Sequence, residues 1–438
     1  MNTQPDLSCN LFIIGQGLTG MSAALFAANR GLTVCQTGRS HPLVFHSGLF
    51  DLLGALPAHM KTSVADPWEA IEDLKKKNRH HPYTKVNKRE IKEAFNEIKT
   101  FLSSEGLVYD DASGGNSELI TSIGTVKTSY LIPLSMRSAV SALKEKSPTL
   151  IVDIKGFREF SAVQIKETLN KSWPDITTAT LDLSFGQKGE KTAEHLARAL
   201  DLEQNRNILV NAILPHLKHE KTVGLPPILG IHKSTEAIRD MERKLGVAVF
   251  EIPFLPPSPP GVRLKEAFEQ GLEKKGVIRF GNAQIESVSA NDDGSFTVSL
   301  SSDYMKKIVL AQGVVLASGR FLGKGLVADG KKVREPIFDI PVVQPENREG
   351  WFRPLFFDKR GHAINKAGLV TDLFQRPLGQ DGAVLHDRLF AAGSILAHQD
   401  WTREKCGSGI ALATGFKAVC SFIELNEGAF CGVNCLSA

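Results

Sequence analysis

Four consecutive apolar residues, Leu11-Phe12-Ile13-Ile14, run into Gly15-Gln16-Gly17-Leu18-Thr19-Gly20, and an Ala- and Leu-rich stretch from Met21 to Asn29 follows. An apolar run of that length bounded by glycine predicts a buried parallel strand, and the stretch after it predicts a helix. A second strand is expected over Leu32 to Gln36. Strand, G-x-G-x-x-G and helix in that order predict a nucleotide- or flavin-binding unit. Gly15 permits the tight turn, Gly17 lets backbone approach a phosphate, and Gly20 lets the helix close on the strand.

Beyond this unit the pattern changes twice. Asp66 to Leu107 is charged and helix-patterned, broken at His80-His81-Pro82-Tyr83, and Val108 to Leu134 reads as short strands and turns, including Asp111 to Asn116. Paired histidines invite a metal site, but no third ligand stands at helical or hairpin spacing, so a surface loop is expected there. From Leu150 to Glu251 strand and helix patterns alternate: strands at 150–154, 178–183 and 247–251, and helices at 159–169, 193–200, 208–217 and 234–245. Such alternation predicts a second α/β layer inserted into the first. Five prolines between Pro253 and Pro260 predict a stiff connector closing the insertion at Gly261. A helix over 263–274 and strands at 276–280, 285–288, 296–300 and 308–310 follow, with a hairpin at Asn291-Asp292-Asp293-Gly294. Two more glycine-bearing strand ends complete the pattern. One is Gly313 to Gly319, and the other is Leu389 to Gly393, followed by the Gly407-Ser408-Gly409 start of an Ala-rich helix. With Gly15 to Gly20, Gly313 to Gly319 and Leu389 to Gly415 in place the chain resembles the two-domain flavoproteins, and the fold this implies is α/β, with a Rossmann-like flavin-binding domain of that type at 1–60 and 262–438. An inserted α/β cap, substrate or partner domain occupies 61–261.

Three separated glycine-bearing strand ends point to one flavin, with Gly15, Gly17, Gly20, Ser47, Gly48, Gly319, Gly393, Gly407, Ser408 and Gly409 as cofactor-binding candidates. A dinucleotide fold usually ends its second strand in an acid that takes the ribose hydroxyls. Here the register puts Thr37 at that point, so either the adenosine is held differently or the ligand lacks one. A cofactor with a single phosphate, such as FMN, needs the glycine turn and no ribose carboxylate.

The chain has 438 residues, 42% of them hydrophobic, enough for two domains. A formal charge of +4 gives no electrostatic support for nucleic-acid binding. The six cysteines show no C-x-x-C pair, so no zinc or iron–sulfur ligand set is expected, and any iron–sulfur centre belongs to another polypeptide. The N-terminus lacks a basic n-region, and no window approaches the roughly 20 apolar residues of a membrane helix. A cytoplasmic protein touching a membrane through a partner is the expectation.

Finer segments narrow the class. His46-Ser47-Gly48-Leu49-Phe50-Asp51-Leu52-Leu53, His81-Pro82-Tyr83, Leu255-Pro256-Pro257-Ser258 with Gly261-Val262-Arg263-Leu264, Arg334-Glu335-Pro336-Ile337-Phe338, and Thr371-Asp372 with Arg376-Pro377 occur in this order. On these segments the chain resembles the B-subunit family of anaerobic glycerol-3-phosphate dehydrogenase. The likeness runs from about residue 11 to 420; His46 departs from it, standing where the family carries a small residue. It implies an FMN protein (FAD the alternative), paired with a catalytic flavin-bearing A subunit, and with a membrane-associated iron–sulfur protein, the C subunit. Such a complex oxidises sn-glycerol 3-phosphate to glycerone phosphate and passes electrons to menaquinone, at the inner face of the cytoplasmic membrane.

Oxidising a secondary alcohol on a flavin needs hydride delivery to N5 and a base for the hydroxyl proton, and a phosphorylated substrate needs Arg or Lys donors. His46, Arg334 and Arg376 are the candidates. Each has a structural alternative: a satisfied pocket histidine, a surface pair of Arg334 with Glu335, and a solvated loop arginine. The competing functions are a stand-alone flavin enzyme acting on another small acid such as fumarate, an electron relay without a catalytic base, and a flavin-binding scaffold without turnover.

Overall fold

In the computed structural model, which describes residues 5–38, 42–56, 63–111, 114–183, 185, 191–303 and 305–426, the chain opens with β1 (Leu7–Ile14), α1 (Leu18–Asn29) and β2 (Val34–Gly38). Next come α2 (Pro67–Lys77) and α3 (Lys88–Ser104), separated by a short turn of helix at Pro82–Lys85, as the break at His80 to Tyr83 predicts. Asp66 starts α2 by accepting from the Trp68 and Glu69 amides. Ala112 and Ser113, inside the expected turn 111–116, lie outside the described residues, as does the expected domain boundary at 60/61.

The middle of the chain is α4 (Leu134–Glu145), β3 (Thr149–Ile154), α5 (Ala162–Leu169), β4 (Ile176–Leu181), α6 (Ala193–Leu200), α7 (Glu203–Ile213), β5 (Thr222–Leu225), α8 (Ser234–Leu245) and β6 (Ala248–Glu251). Its strands form one parallel sheet in the order β6-β5-β3-β4. The central strand β3 carries Leu150, Ile151 and Val152, all fully buried, which is why its sequence shows no polar alternation.

After the proline-rich segment comes α9 (Pro259–Lys274). The connector therefore ends at Ser258, not Gly261: the first turn of a helix has no partner for its amides, so Pro259 and Pro260 cost nothing there. Strands β7 (Ile278–Gly281), β8 (Gln284–Ala290), β9 (Phe296–Ser302), β10 (Met305–Leu316) and β11 (Leu389–Ala391) follow, and then α10 (Gly407–Leu425). They join β1 and β2 in a seven-stranded sheet, β7-β2-β1-β10-β9-β8, with β11 also on β10. Strand β10 is one twelve-residue strand rather than the two short ones expected. Its first half pairs antiparallel with β9, and its last three residues pair parallel with β11. Gly313, the expected start of the second of those short strands, sits inside it with the Phe422 ring so close that a Cβ there would lie 2.5 Å away.

The chain divides into two compact units: 1–42 with 52–98 and 268–438, and 43–51 with 99–267. The segment 63–98 thus packs with the glycine motif rather than with the insertion, and 43–51 does the reverse. Helix α10 is 19 residues long and, contrary to the expectation of no such window, apolar enough to cross a membrane by length and composition. Yet 72% of that window is buried in the chain, and Phe416 packs edge-on against Phe26 of α1 at 5.3 Å. Its apolarity serves the core of the first unit.

Candidate functional site

The glycine motif builds a cradle at the carboxyl end of β1. Gly15 has φ +134°, and a Cβ on it would collide with the Ala317 carbonyl where β10 ends. Gly20 lies against the Gly15 carbonyl, which leaves no room for a side chain and brings the head of α1 down onto the turn. Gln36 Nε2 donates to that carbonyl at 2.8 Å, fixing the turn from β2. Helix α1 has Gly17 at its N-cap, no side-chain cap and no acid in its first turn. Its positive dipole end therefore has neither a capping side chain nor an acid to compensate it, as phosphate binding requires. Two buried atoms beside the cradle, Gln16 Oε1 and Ser318 Oγ, have no hydrogen-bond partner. These residues fit the phosphate of a flavin coenzyme.

Strand β2 ends at Gly38 rather than Thr37. The buried Thr37 hydroxyl turns inward and donates to the Ala283 and Phe280 carbonyls at 3.1 and 3.3 Å, and a Cβ on Gly38 would lie 2.9 Å from Gln16. Neither position offers a carboxylate to a ribose. Residues 39–41 lie outside the described residues.

The other glycine positions differ from one another. Gly319, at φ +71°, leaves space, with Ser394 Oγ 3.5 Å from a built Cβ. Gly393, at φ +82°, is packed directly on Thr19 of α1, and its amide donates to Thr414 Oγ1 at 2.8 Å. Gly407 faces the Trp401 ring, and Gly409 admits the Tyr83 hydroxyl, which donates to the Leu52 carbonyl at 2.5 Å. Ser408 is buried at the start of α10. Close helix packing thus accounts for Gly393, Gly407 and Gly409, whereas Gly15, Gly17 and Gly20 form the cradle and Gly319 stands open.

Several charged groups of the first unit carry no local sequence signal. His81 is wholly buried, not part of a surface loop; its Nδ1 accepts from the Tyr83 amide, and its Nε2 faces Glu404 Oε2 at 3.3 Å. Cys406 Sγ donates to the same oxygen, so the three ligand-type atoms lie within 4.8 Å of one another. The Tyr83 contact keeps the His81 proton on Nε2, so the group is built to hold protons rather than to present an imidazole lone pair to a metal. Burial pushes the Glu404 carboxyl up, but the His81 and Cys406 hydrogen bonds hold it below its ordinary value. Lys85 donates to the Thr371 carbonyl and hydroxyl at 2.6 and 2.9 Å, and burial lowers it to about 8 against the pull of Asp372. Arg320 is lowered to about 10 by burial, its guanidinium donating to the Asn365, Leu396 and Gln399 carbonyls. His81-Pro82-Tyr83 and Thr371-Asp372 are visible as motifs; their contacts are not.

Each catalytic candidate is engaged locally. In the second unit, His46 Nδ1 accepts from the Gly48 amide at 3.1 Å, its ring lies 5.0 Å from Phe50, and burial, with Lys127 second, lowers it to about 4. Ser47 Oγ accepts from the Leu49 amide, and Gly48, at φ +81°, packs on Pro260. Gly261 nestles against the Val44, Leu43 and His46 carbonyls, so the motifs at 46–53 and 255–264 meet in one place. In the first unit, Arg334 is half-exposed and faces Asp329 at 3.8 Å, not Glu335. Glu335 is buried and accepts from the Ile337 and Phe338 amides at 2.8 Å, a structural clasp for that loop. Arg376 is shared between Asp372 and Asp387 at 2.8 and 2.9 Å. A substrate phosphate would have to displace those carboxylates.

Residues 10–410 match the family model described as an FAD binding domain. The B subunit of anaerobic glycerol-3-phosphate dehydrogenase from Aliivibrio fischeri is 29% identical, covering 95% of this chain and 96% of that protein. A probable B subunit of anaerobic glycerol-3-phosphate dehydrogenase from Halobacterium salinarum is 30% identical, covering 94% and 97%. Among solved structures, 3-ketosteroid delta1-dehydrogenase from Sterolibacterium denitrificans aligns with a TM-score of 0.44 at 11% identity, over 95% of this chain and 99% of that one. The chain is a two-domain flavoprotein of the FAD-binding-domain family, and within it belongs to the B-subunit family of anaerobic glycerol-3-phosphate dehydrogenase, a family of flavin-binding dehydrogenases.

Proposed function

We propose that this chain is the flavin-bearing B subunit of a membrane-associated, quinone-linked glycerol-3-phosphate dehydrogenase, working with a catalytic flavin-bearing A subunit, and with an iron–sulfur protein, the C subunit, at the inner face of the cytoplasmic membrane. The reading rests on the uncapped glycine cradle at the head of α1, in a chain that matches B-subunit relatives over nearly its whole length. Gly15, Gly17, Gly20 and Ser318 would hold the flavin phosphate, with Gly319 beside it, and the inserted unit serves as a substrate or partner domain. FMN is the proposed coenzyme, supported by the missing carboxylate at the end of β2; FAD, after which the family model is named, is the alternative. The flavin, when bound, supplies a two-electron acceptor. Oxidation of sn-glycerol 3-phosphate to glycerone phosphate removes a hydride from C2 and a proton from its hydroxyl, two electrons then passing to menaquinone.

Within that complex the relay role is favoured for this chain. His46 is neutral at pH 7 with Nδ1 already accepting, and Arg334 and Arg376 face carboxylates. Acid extraction and chromatography of the yellow cofactor decide FMN against FAD. Purified chain assayed with sn-glycerol 3-phosphate and an artificial acceptor, alone and with the A subunit, decides the rest. Turnover by the chain alone excludes a pure relay, and a colourless protein that takes up neither coenzyme overturns the whole reading.

A further inference from the structure

A departure from ordinary surface composition among the described residues lies in the first unit between Phe352 and His362. Phe352, Leu355, Phe356 and Phe357 are 58%, 70%, 80% and 87% exposed. Single exposed apolar residues need no explanation, but four within six positions form a patch of the kind that binds something. The loop is not free to fold them away. The Arg353 amide donates to His362 Nδ1 at 3.1 Å, His362 Nε2 donates to the Phe356 carbonyl at 2.9 Å, and Arg353 Nε donates to the Gly361 carbonyl at 3.1 Å. Arg403 holds the Asp358 and Lys359 carbonyls from below. With both ring nitrogens of His362 used, the backbone is pinned on either side of Phe356 and Phe357, whose rings stand 4.8 Å apart, edge to face.

We propose that this loop is a lipid-anchoring element: Phe356 and Phe357 enter the boundary between headgroups and acyl chains of an anionic bilayer, and Arg353 and Lys359 meet its phosphates. Charge selects this occupant. Residues 352–362 carry three basic side chains and one acid, Asp358, which pairs with Arg360 at 2.7 Å and leaves Arg353 and Lys359 as the net positive charge. Among these four residues exposure rises along the segment to its maximum at Phe357. Apolar tips flanked by Lys and Arg are the arrangement that holds proteins on anionic membranes. The inference is independent of the redox reading and adds direct lipid contact to a membrane location otherwise proposed to come through a partner.

The test is sedimentation of the purified full chain with vesicles of equal parts phosphatidylglycerol and phosphatidylcholine, against phosphatidylcholine alone. Wild type should bind the anionic vesicles. Phe356→Ser with Phe357→Ser should weaken binding by roughly tenfold per ring, from the transfer free energy of a phenylalanine side chain. Lys359→Gln should weaken it by about fivefold and only on anionic vesicles. An unchanged thermal midpoint certifies that the variants are folded. A benzophenone amino acid in place of Phe357, irradiated in native membranes, should label phospholipid. Labelling of a partner polypeptide instead, no sedimentation of wild type, or equal sedimentation of the phenylalanine variant overturns the proposal.

Discussion

At the scale of single residues, His46 shows how burial reverses a sequence reading. A histidine beside Ser47-Gly48 invites the role of base, but its folded pKa of about 4 lies below the ordinary 6.5. Between those values the unfolded chain binds a proton that the folded chain refuses, so stability falls as pH drops from 6.5 towards 4 and is insensitive to this group above 6.5. His46→Gln should flatten that acid limb by about 1–3 kcal/mol, measured by denaturant unfolding at pH 4.5 and 7. It should also keep kcat of the assembled complex within about tenfold, since loss of a general base costs a hundredfold or more. A hundredfold fall would restore His46 as the base. His81 departs from expectation in the other direction: its sequence neighbours suggest a surface loop, but its partner Glu404 stands 323 positions away and buries it. Lys85 meets Thr371 across 286 positions in the same manner. No local pattern carries such a contact. The cradle glycines are legible because their chemistry is local: turn, close approach and helix start all fall within six residues.

At the scale of elements, apolar pattern locates most strands and helices, and the exceptions share a cause. Glycine and proline disfavour regular structure by intrinsic preference, whereas close packing of a ring from α10 on Gly313 and the amide-poor first turn of α9 at Pro259-Pro260 accommodate them. Gly313→Ala should destabilise by about 1–3 kcal/mol through the clash with Phe422, and Phe422→Leu should recover part of that loss in the same chain, as thermal unfolding of the single and double variants can show. The inserted unit offers a sharper case. Arg263 of α9 makes two bonds to Glu251 of β6, at 2.7 and 2.8 Å, and donates to the Gly230 carbonyl, all buried. Glu251 Oε1 also accepts from the buried Leu229 amide at 2.6 Å. Arg263→Met leaves the Glu251 charge uncompensated and should cost about 3–5 kcal/mol, whereas adding Glu251→Gln, which keeps an acceptor for that amide, should return most of it. Failure of the second change to rescue would mean the pair does more than neutralise itself.

At the scale of the whole molecule, the outcome turns on how much of a coenzyme the first unit can hold. Anything bound only by the folded state raises stability by RT ln(1 + [L]/Kd), about 2.7 kcal/mol at a hundredfold excess over Kd. FMN added to flavin-free protein should therefore raise the thermal midpoint by several degrees. ADP separates the two coenzymes, because it carries the adenosine and pyrophosphate of FAD without the ring. With the Thr37 hydroxyl turned onto backbone carbonyls and Gly38 packed on Gln16, neither of these two described positions at the end of β2 offers a group to grip a ribose. ADP should then leave the midpoint unmoved and fail to slow FMN uptake. A protective shift with ADP, together with tighter retention of FAD than of FMN, would place an adenosine subsite elsewhere in the chain and make the strand end irrelevant to the choice of flavin.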